Sequence, residues 1–253
     1  MYNRRGTQAY SIYWEIIEML IGIIGAMARE TDAVIARISS PETDTVCGIR
    51  YCKGTLEGVP VVAAQCGIGK VFAALCAALM IEHWHPDLIL NIGVAGALTD
   101  GLDIADIVIA DSAVEHDMDT TPIGDPPGLI SGPNIVHMPV NAAAAAGIAR
   151  AAKSLGCHTV TAAIATGDQF IEHLENKQRI ARDFCAAACD MEGGAIAQVA
   201  MTAGVPYAAY RAISDTLRGN GQEYALNADR AAGASIRLLT AFLNDLREEA
   251  YEL

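Results

Sequence analysis

Three acidic residues stand directly after apolar runs of this chain: Glu30 in GAMARE, Glu192 in CDMEGGA and Asp215 in RAISDT. A carboxyl group can give or take a proton, and an ionised carboxylate accepts hydrogen bonds only, which suits it to hydroxyl ligands. Each acid also has a structural reading. Glu30 and Glu192 suit the first turn of a helix, where the macrodipole favours an anion, and Asp215 suits a cap or a turn. Singly, each structural reading is the stronger one. Jointly they point to chemistry: all three fall just past apolar runs that read as strand ends, where an α/β protein gathers its site.

Two glycine motifs lie between them. GIGKVFA (67–73) follows a predicted strand and precedes a predicted helix, matching G-x-G-x-x-A. Such glycines either bring backbone close to a pyrophosphate at a helix N-terminus or make a tight turn. A dinucleotide site expects an acid at the end of the next strand, but Asn91-Ile92-Gly93 stands there, which favours the turn. In NIGVAG (91–96), Gly93 and Gly96 remove Cβ atoms, either for a ligand that approaches the backbone or for a turn. The seven cysteines include no CxxC pair, and Cys185/Cys189 lacks a second pair to complete a zinc site. They are expected to be reduced, mostly buried thiols of a cytosolic protein, and no metal is expected, at His83 and His85 included.

The elements that must position these residues are legible in outline. Strands are predicted over 20–25, 59–65, 87–92, 106–110, 159–165 and 207–213, and helices near 28–38, 69–83, 141–155, 173–183, 193–203 and 225–248. Continuous Val, Ile, Leu and Ala runs suit strands covered by helices on both faces. Residues 44–57 look like a hairpin partner, which makes the sheet mixed. The expected fold is therefore a three-layer α/β/α domain over 19–253, with a central mixed, mostly parallel sheet. The Pro- and Gly-rich stretch 118–134 is expected to be a long ordered loop. Residues 1–18 look like an appended tail, with Met19 the natural start, or else a loosely attached helix. That segment has no uninterrupted apolar stretch or small-residue cleavage site, so it makes a poor signal peptide.

Composition narrows the partners. A net charge of −13 repels phosphate backbones and anionic lipid, so nucleic acid and membranes are poor partners. No segment has the 18 or so uninterrupted apolar residues of a membrane span. A small ligand fits better, or a partner reached through an apolar patch.

The motifs IGIIGAMARE, GIGKV, NIGVAG, HDMD (116–119), GDQFI (167–171), DMEGGAIAQVA (190–200) and RAISD (211–215) occur together in one order. From about Met19 to Leu246 the chain resembles the 5′-methylthioadenosine/S-adenosylhomocysteine nucleosidases, of the nucleoside phosphorylase-like superfamily. The resemblance implies hydrolysis of the N-glycosidic bond of an adenine nucleoside, without a cofactor, by a cytoplasmic homodimer. It implies that Asp215 protonates adenine N7 while Ser214 holds it, so Asp215 must carry a proton near neutrality. Glu30 would orient and deprotonate the water. Glu192 would accept from the ribose hydroxyls, with Met191 against the sugar, Phe170 stacked on adenine and the Ile171 backbone at the purine edge. Met27, Ile68, Val94, Ala95, Gly96 and Tyr224 would line the same site, and Arg211 would hold Glu192 or another carboxylate. Ile123, in the 118–134 loop, stands where relatives often reach into the neighbouring subunit's pocket.

Departures bear on the reaction. Val94 replaces a frequent Ser, and Asp190 a frequent Glu. A phosphorylase is the main alternative, but it would need cationic and hydroxyl groups for phosphate where Asn91 and Val94 stand. 6-Amino-6-deoxyfutalosine is an alternative substrate for the same adenine and ribose contacts. A non-catalytic nucleoside-binding protein would be expected to have lost one of the three acids.

Overall fold

The computed structural model describes residues 19–252; the tail expected over 1–18 lies outside the described residues. In chain order, β1 (Ile21–Gly25) leads to α1 (Ala28–Ile35) and then to β2 (Ser39–Val46), β3 (Ile49–Leu56) and β4 (Val59–Gln65). Next come α2 (Lys70–Trp84), β5 (Leu88–Asn91), β6 (Val94–Ala97) and β7 (Ile107–Glu115). The 118–134 loop, with a 3-10 turn at Thr121–Ile123, leads to a short β8 (Met138–Pro139) and α3 (Ala142–Ser154). The remainder is β9 (Thr159–Thr166), α4 (Leu174–Phe184), β10 (Ala186–Asp190), α5 (Gly193–Ala203), β11 (Tyr207–Asp215) and α6 (Gly221–Glu252). Each predicted strand and helix is present.

The sheet order is β2-β3-β4-β1-β5-β11-β6-β10-β9-β7-β8, with a further pairing of β11 to β7. The strands at its centre are parallel: β4–β1, β1–β5 and β5–β11. Their Ile, Val and Ala runs are buried along their length, as strands with a helical layer on each face must be. One layer packs Cys76 and Met80 of α2 and Ile196 of α5 against Ile24 and Val62. The other packs Val34 of α1, Ile148 of α3 and Leu238 and Phe242 of α6 against Ile21 and Val61.

The expected single hairpin partner over 44–57 is two strands. Cys47-Gly48 and Glu57-Gly58 both have positive φ at both positions (50° and 80°, 51° and 84°), so each makes a two-residue hairpin turn. The first of them, β2, is the exposed, polar edge SSPETDTV, whose proline and acids suit an edge that must not pair further.

At its other end the sheet closes on itself. β11 pairs with β6, β6 with β10, β10 with β9, β9 with β7, and β7 with β11 again. This small barrel places the carboxyl ends of β10 and β11 beside β6. A register shift between Ile213 and Asp215 against β6 marks the site end of β11, as bulges next to functional groups often do.

Candidate active site

The turn from β1 into α1 delivers Glu30. Its Oε2 accepts from the backbone N–H groups of Ala26 (2.8 Å) and Met27 (2.9 Å), and its Oε1 from that of Val94 (2.9 Å). Two of these bonds close the first turn of α1, the structural job open to an acid there. The third crosses to β6 and makes the carboxyl a junction between two strand ends. A carboxylate offers about four acceptor sites; with three taken, one on Oε1 stays open. Burial pushes the Glu30 carboxyl above the ordinary value, and the three N–H donors pull the other way. Gly93 permits the close approach, since a Cβ there would lie 2.7 Å from Oε1.

Beneath this lies a buried ionic network. Arg211, on β11, donates to Asp190 Oδ2 through Nε (3.0 Å) and Nη2 (2.5 Å), and to the carbonyls of Asn91 (3.0 Å) and Tyr210 (2.9 Å). Asn91 Oδ1 accepts from the same guanidinium. The carboxylate that Arg211 holds is thus Asp190, at the end of β10. Asp190 also accepts from Thr166 Oγ1 and from the Gly193 N–H (3.0 Å).

Glu192 stands at the N-cap of α5 but does not cap its own helix. Its Oε1 accepts from the Gly69 N–H at 2.8 Å. Gly67 and Gly69 have φ of 95° and 99°, which only glycine adopts readily, so GIGKVFA makes a tight turn. The next donor, the Lys70 N–H, is taken by Asp168 Oδ1 (2.8 Å). Side-chain carboxylates thus occupy the N–H groups that a pyrophosphate would need. Burial, reinforced by the charge of Asp190, raises Glu192 to about 8.

Asp215 ends β11 with its side chain buried. Oδ1 accepts from Ser214 Oγ (3.0 Å), and Oδ2 from Lys177 Nζ (2.8 Å). Gly96 makes room for it, because a Cβ there would lie 2.8 Å from Oδ2. Sequence reasoning missed Lys177, a fully buried lysine on α4. The signal was present: Lys177 shares its helix face with Ile180 and Phe184, a stripe where solvated charge does not belong.

Glu30, Glu192 and Asp215 all line one cavity of about 210 Å³, small enough for one low-molecular-weight ligand. Of the other expected residues, Met27, Ile68, Val94, Ala95, Gly96, Phe170, Ile171, Met191, Ser214 and Tyr224 line it too. Ala26, Gln169, Cys189 and Asp190 join them without having been expected. Arg211 lies behind the wall, and Ile123 is 81% exposed on the loop, away from the cavity. The rings of Phe170 and Tyr224 meet edge to face, with centroids 5.5 Å apart. Tyr224 Oη donates to Met27 Sδ at 3.3 Å, which ties α6 to the β1–α1 turn.

All seven cysteines are free; Cys52, Cys66, Cys76 and Cys189 are buried, while Cys47 and Cys185 are exposed. Burial pushes the Cys66 thiol up, which makes it a poor nucleophile despite its place near the site. Among the described residues, no group of three or more His, Cys, Asp or Glu is arranged to hold a metal ion, and no helix is long and apolar enough to cross a membrane.

The sequence model of the phosphorylase superfamily matches residues 20–244. A 5′-methylthioadenosine/S-adenosylhomocysteine nucleosidase of Shewanella baltica is 36% identical over 239 residues, covering 89% of this chain and 98% of the relative. The crystal structure of such a nucleosidase from Colwellia psychrerythraea, in complex with adenine, has a TM-score of 0.85 at 30% identity and covers 90% and 96% of the two chains. A futalosine hydrolase of Helicobacter pylori has a TM-score of 0.84 at 28% identity, covering 90% and 98%. With this likeness along nearly the whole domain, the chain belongs to the 5′-methylthioadenosine/S-adenosylhomocysteine nucleosidase family of the phosphorylase superfamily.

Proposed function

We propose that the protein hydrolyses the N-glycosidic bond of 5′-methylthioadenosine and S-adenosylhomocysteine, releasing adenine and the 5′-thio-substituted ribose. The observation that carries the choice of water over phosphate is the setting of Glu30. Its carboxyl fills the nest of Ala26, Met27 and Val94 N–H groups, the donors an inorganic anion would otherwise claim. A second anion beside it would be repelled, whereas a water can use the open site on Oε1. Among the residues that line the cavity there is no arginine or lysine.

The chemistry follows from the acids. Cleavage passes through an oxocarbenium-like sugar, so the purine must leave well and a water must be positioned. Asp215, steadied by Ser214, gives a proton to N7. Glu30 orients the water and takes its proton. Glu192 engages the ribose hydroxyls beside Met191. Phe170 stacks on the base, and the Ile171 backbone reads its edge.

The active species in this account is a cytosolic homodimer whose 118–134 loop completes the partner's 5′ pocket. Exposed apolar side chains at Ile68, Val71, Phe72 and Ile123 support an apolar contact of that kind. The futalosine hydrolase likeness keeps 6-amino-6-deoxyfutalosine as a third substrate to assay.

Adenine release from each of the three nucleosides tests the assignment, with Asp215→Asn as the control. The variant should lose roughly 10²–10⁴-fold in kcat, the usual worth of a positioned acid. Near-normal turnover by Asp215→Asn would remove the acid from its role.

A further inference from the structure

The least expected group in the molecule is the ammonium of Lys177. Its side chain is wholly buried, and its three donors are all used: Asp215 Oδ2 at 2.8 Å, Thr216 O at 2.9 Å and Gly219 O at 3.3 Å. The strap from Thr216 to Gly219 is anchored from its other side by Glu223, whose Oε2 accepts from the Thr216 N–H (2.6 Å) and Oγ1 (3.0 Å). A Cβ at Gly219 would lie 1.7 Å from Glu223 Oε2 and 2.8 Å from the Thr216 N, so any side chain there would displace the Glu223 anchor. The lysine is therefore locked in place by two carbonyls and aimed at one oxygen of the acid. Burying a cation this way is costly unless its partner is fixed.

We propose that Lys177 is a positioning residue for Asp215, orienting its carboxyl and stabilising the carboxylate left behind when its proton has moved to the purine. The proposal rests on the hydrolase assignment above. In that reaction the Asp215 proton passes to N7, and the C1′–N9 electron pair departs with adenine. The water oxygen bonds to C1′, and its proton passes to Glu30. Negative charge thus develops on the buried carboxyl of Asp215, beside Ser214 and Cys189 and across a cavity shared with Glu30, Glu192 and Asp190. Lys177 is the cation bonded directly to it, and Arg211 is already committed to Asp190. Holding a fixed positive group where negative charge appears is a general way to lower a barrier.

Lys177→Met tests this on two substrates. One is methylthioadenosine, whose base must be protonated; the other is a 4-nitrophenyl 5-methylthioriboside, whose leaving group departs as an anion. The expected result on methylthioadenosine is a kcat loss of roughly 10- to 100-fold, the worth of one hydrogen bond to a charged group, with KM within about threefold. The alkaline limb of its pH profile should move up by about one pH unit or more, because the acid surrenders its proton less readily without the ammonium. The nitrophenyl substrate should lose much less. Equal losses on both substrates, or an unmoved limb, would overturn the proposal and leave Lys177 a structural pair. Should Lys177→Met yield little folded enzyme, Lys177→Arg carries the test: it retains the cation and must keep the wild-type limb, and a raised limb would again overturn the proposal. Wild-type enzyme that releases no adenine refutes the hydrolase assignment instead, so the two failures are distinguishable.

Discussion

Replacing Arg211 with methionine isolates the network on which the site rests. The guanidinium is buried, and its contacts to Asp190, Asn91 and Tyr210 hold three strands together. In Arg211→Met, Asp190 keeps Thr166 Oγ1 and the Gly193 N–H but loses its countercharge. Removing one partner of a buried ion pair typically costs about 3–5 kcal/mol, because the other charge is left uncompensated. For a domain of this size that corresponds to a fall in Tm of roughly 6–20 °C. Scanning calorimetry at neutral pH measures it. Adding Asp190→Asn should recover a large part of the loss, since the neutral amide needs no cation, and the double-mutant cycle reports the coupling. The same cycle bears on Glu192, whose carboxyl is raised by burial and by Asp190 and lowered by Arg211. A loss below about 1 kcal/mol in Arg211→Met would contradict the claim that this pair organises the site. Additive losses in the double variant would contradict it equally.

Two further outcomes are expected. Glu192 holds its proton up to about 8 in the folded chain but only up to 4.5 when unfolded, so between those values the unfolded state binds fewer protons and stability falls as pH rises. Glu192→Gln should therefore melt higher than wild type at pH 8, by on the order of 5 °C, with the advantage shrinking toward pH 5; an advantage constant with pH would refute the burial argument. Gly93→Ala places a Cβ 2.7 Å from Glu30 Oε1. Displacing that carboxyl should lower kcat roughly 10²-fold, and an alanine variant with wild-type kcat would show that the position of Glu30 does not matter.

The layers and much of the site lay in the sequence because buried parallel strands are continuous apolar runs and because Glu30 and Asp215 follow two of them. What escaped has physical reasons. The edge strand β2 is polar on both faces, so no apolar pattern marks it. The strand β10 reads AAACD, and alanine favours helices in isolation; the closed barrel, a long-range fact, imposes the strand. The NIGVAG glycines left a turn and a ligand-facing backbone both open; Val94–Ala97 is a strand paired with both β11 and β10, and its Val94, Ala95 and Gly96 line the cavity. The resemblance placed Arg211 on Glu192 or another carboxylate; the structure gives it to Asp190, two residues earlier, at the end of β10. Lys177 escaped because lysine is almost never fully buried unless paired, and its partners lie far away in sequence, although its neighbours on the helix face are apolar.

Hydrolysis, as opposed to phosphorolysis, is decided by turnover of methylthioadenosine in rigorously phosphate-free buffer, with both products identified by mass. Adenine and free methylthioribose are expected in equal amounts, at a rate that added phosphate does not raise. A requirement for phosphate, or methylthioribose 1-phosphate as the product, would contradict hydrolysis.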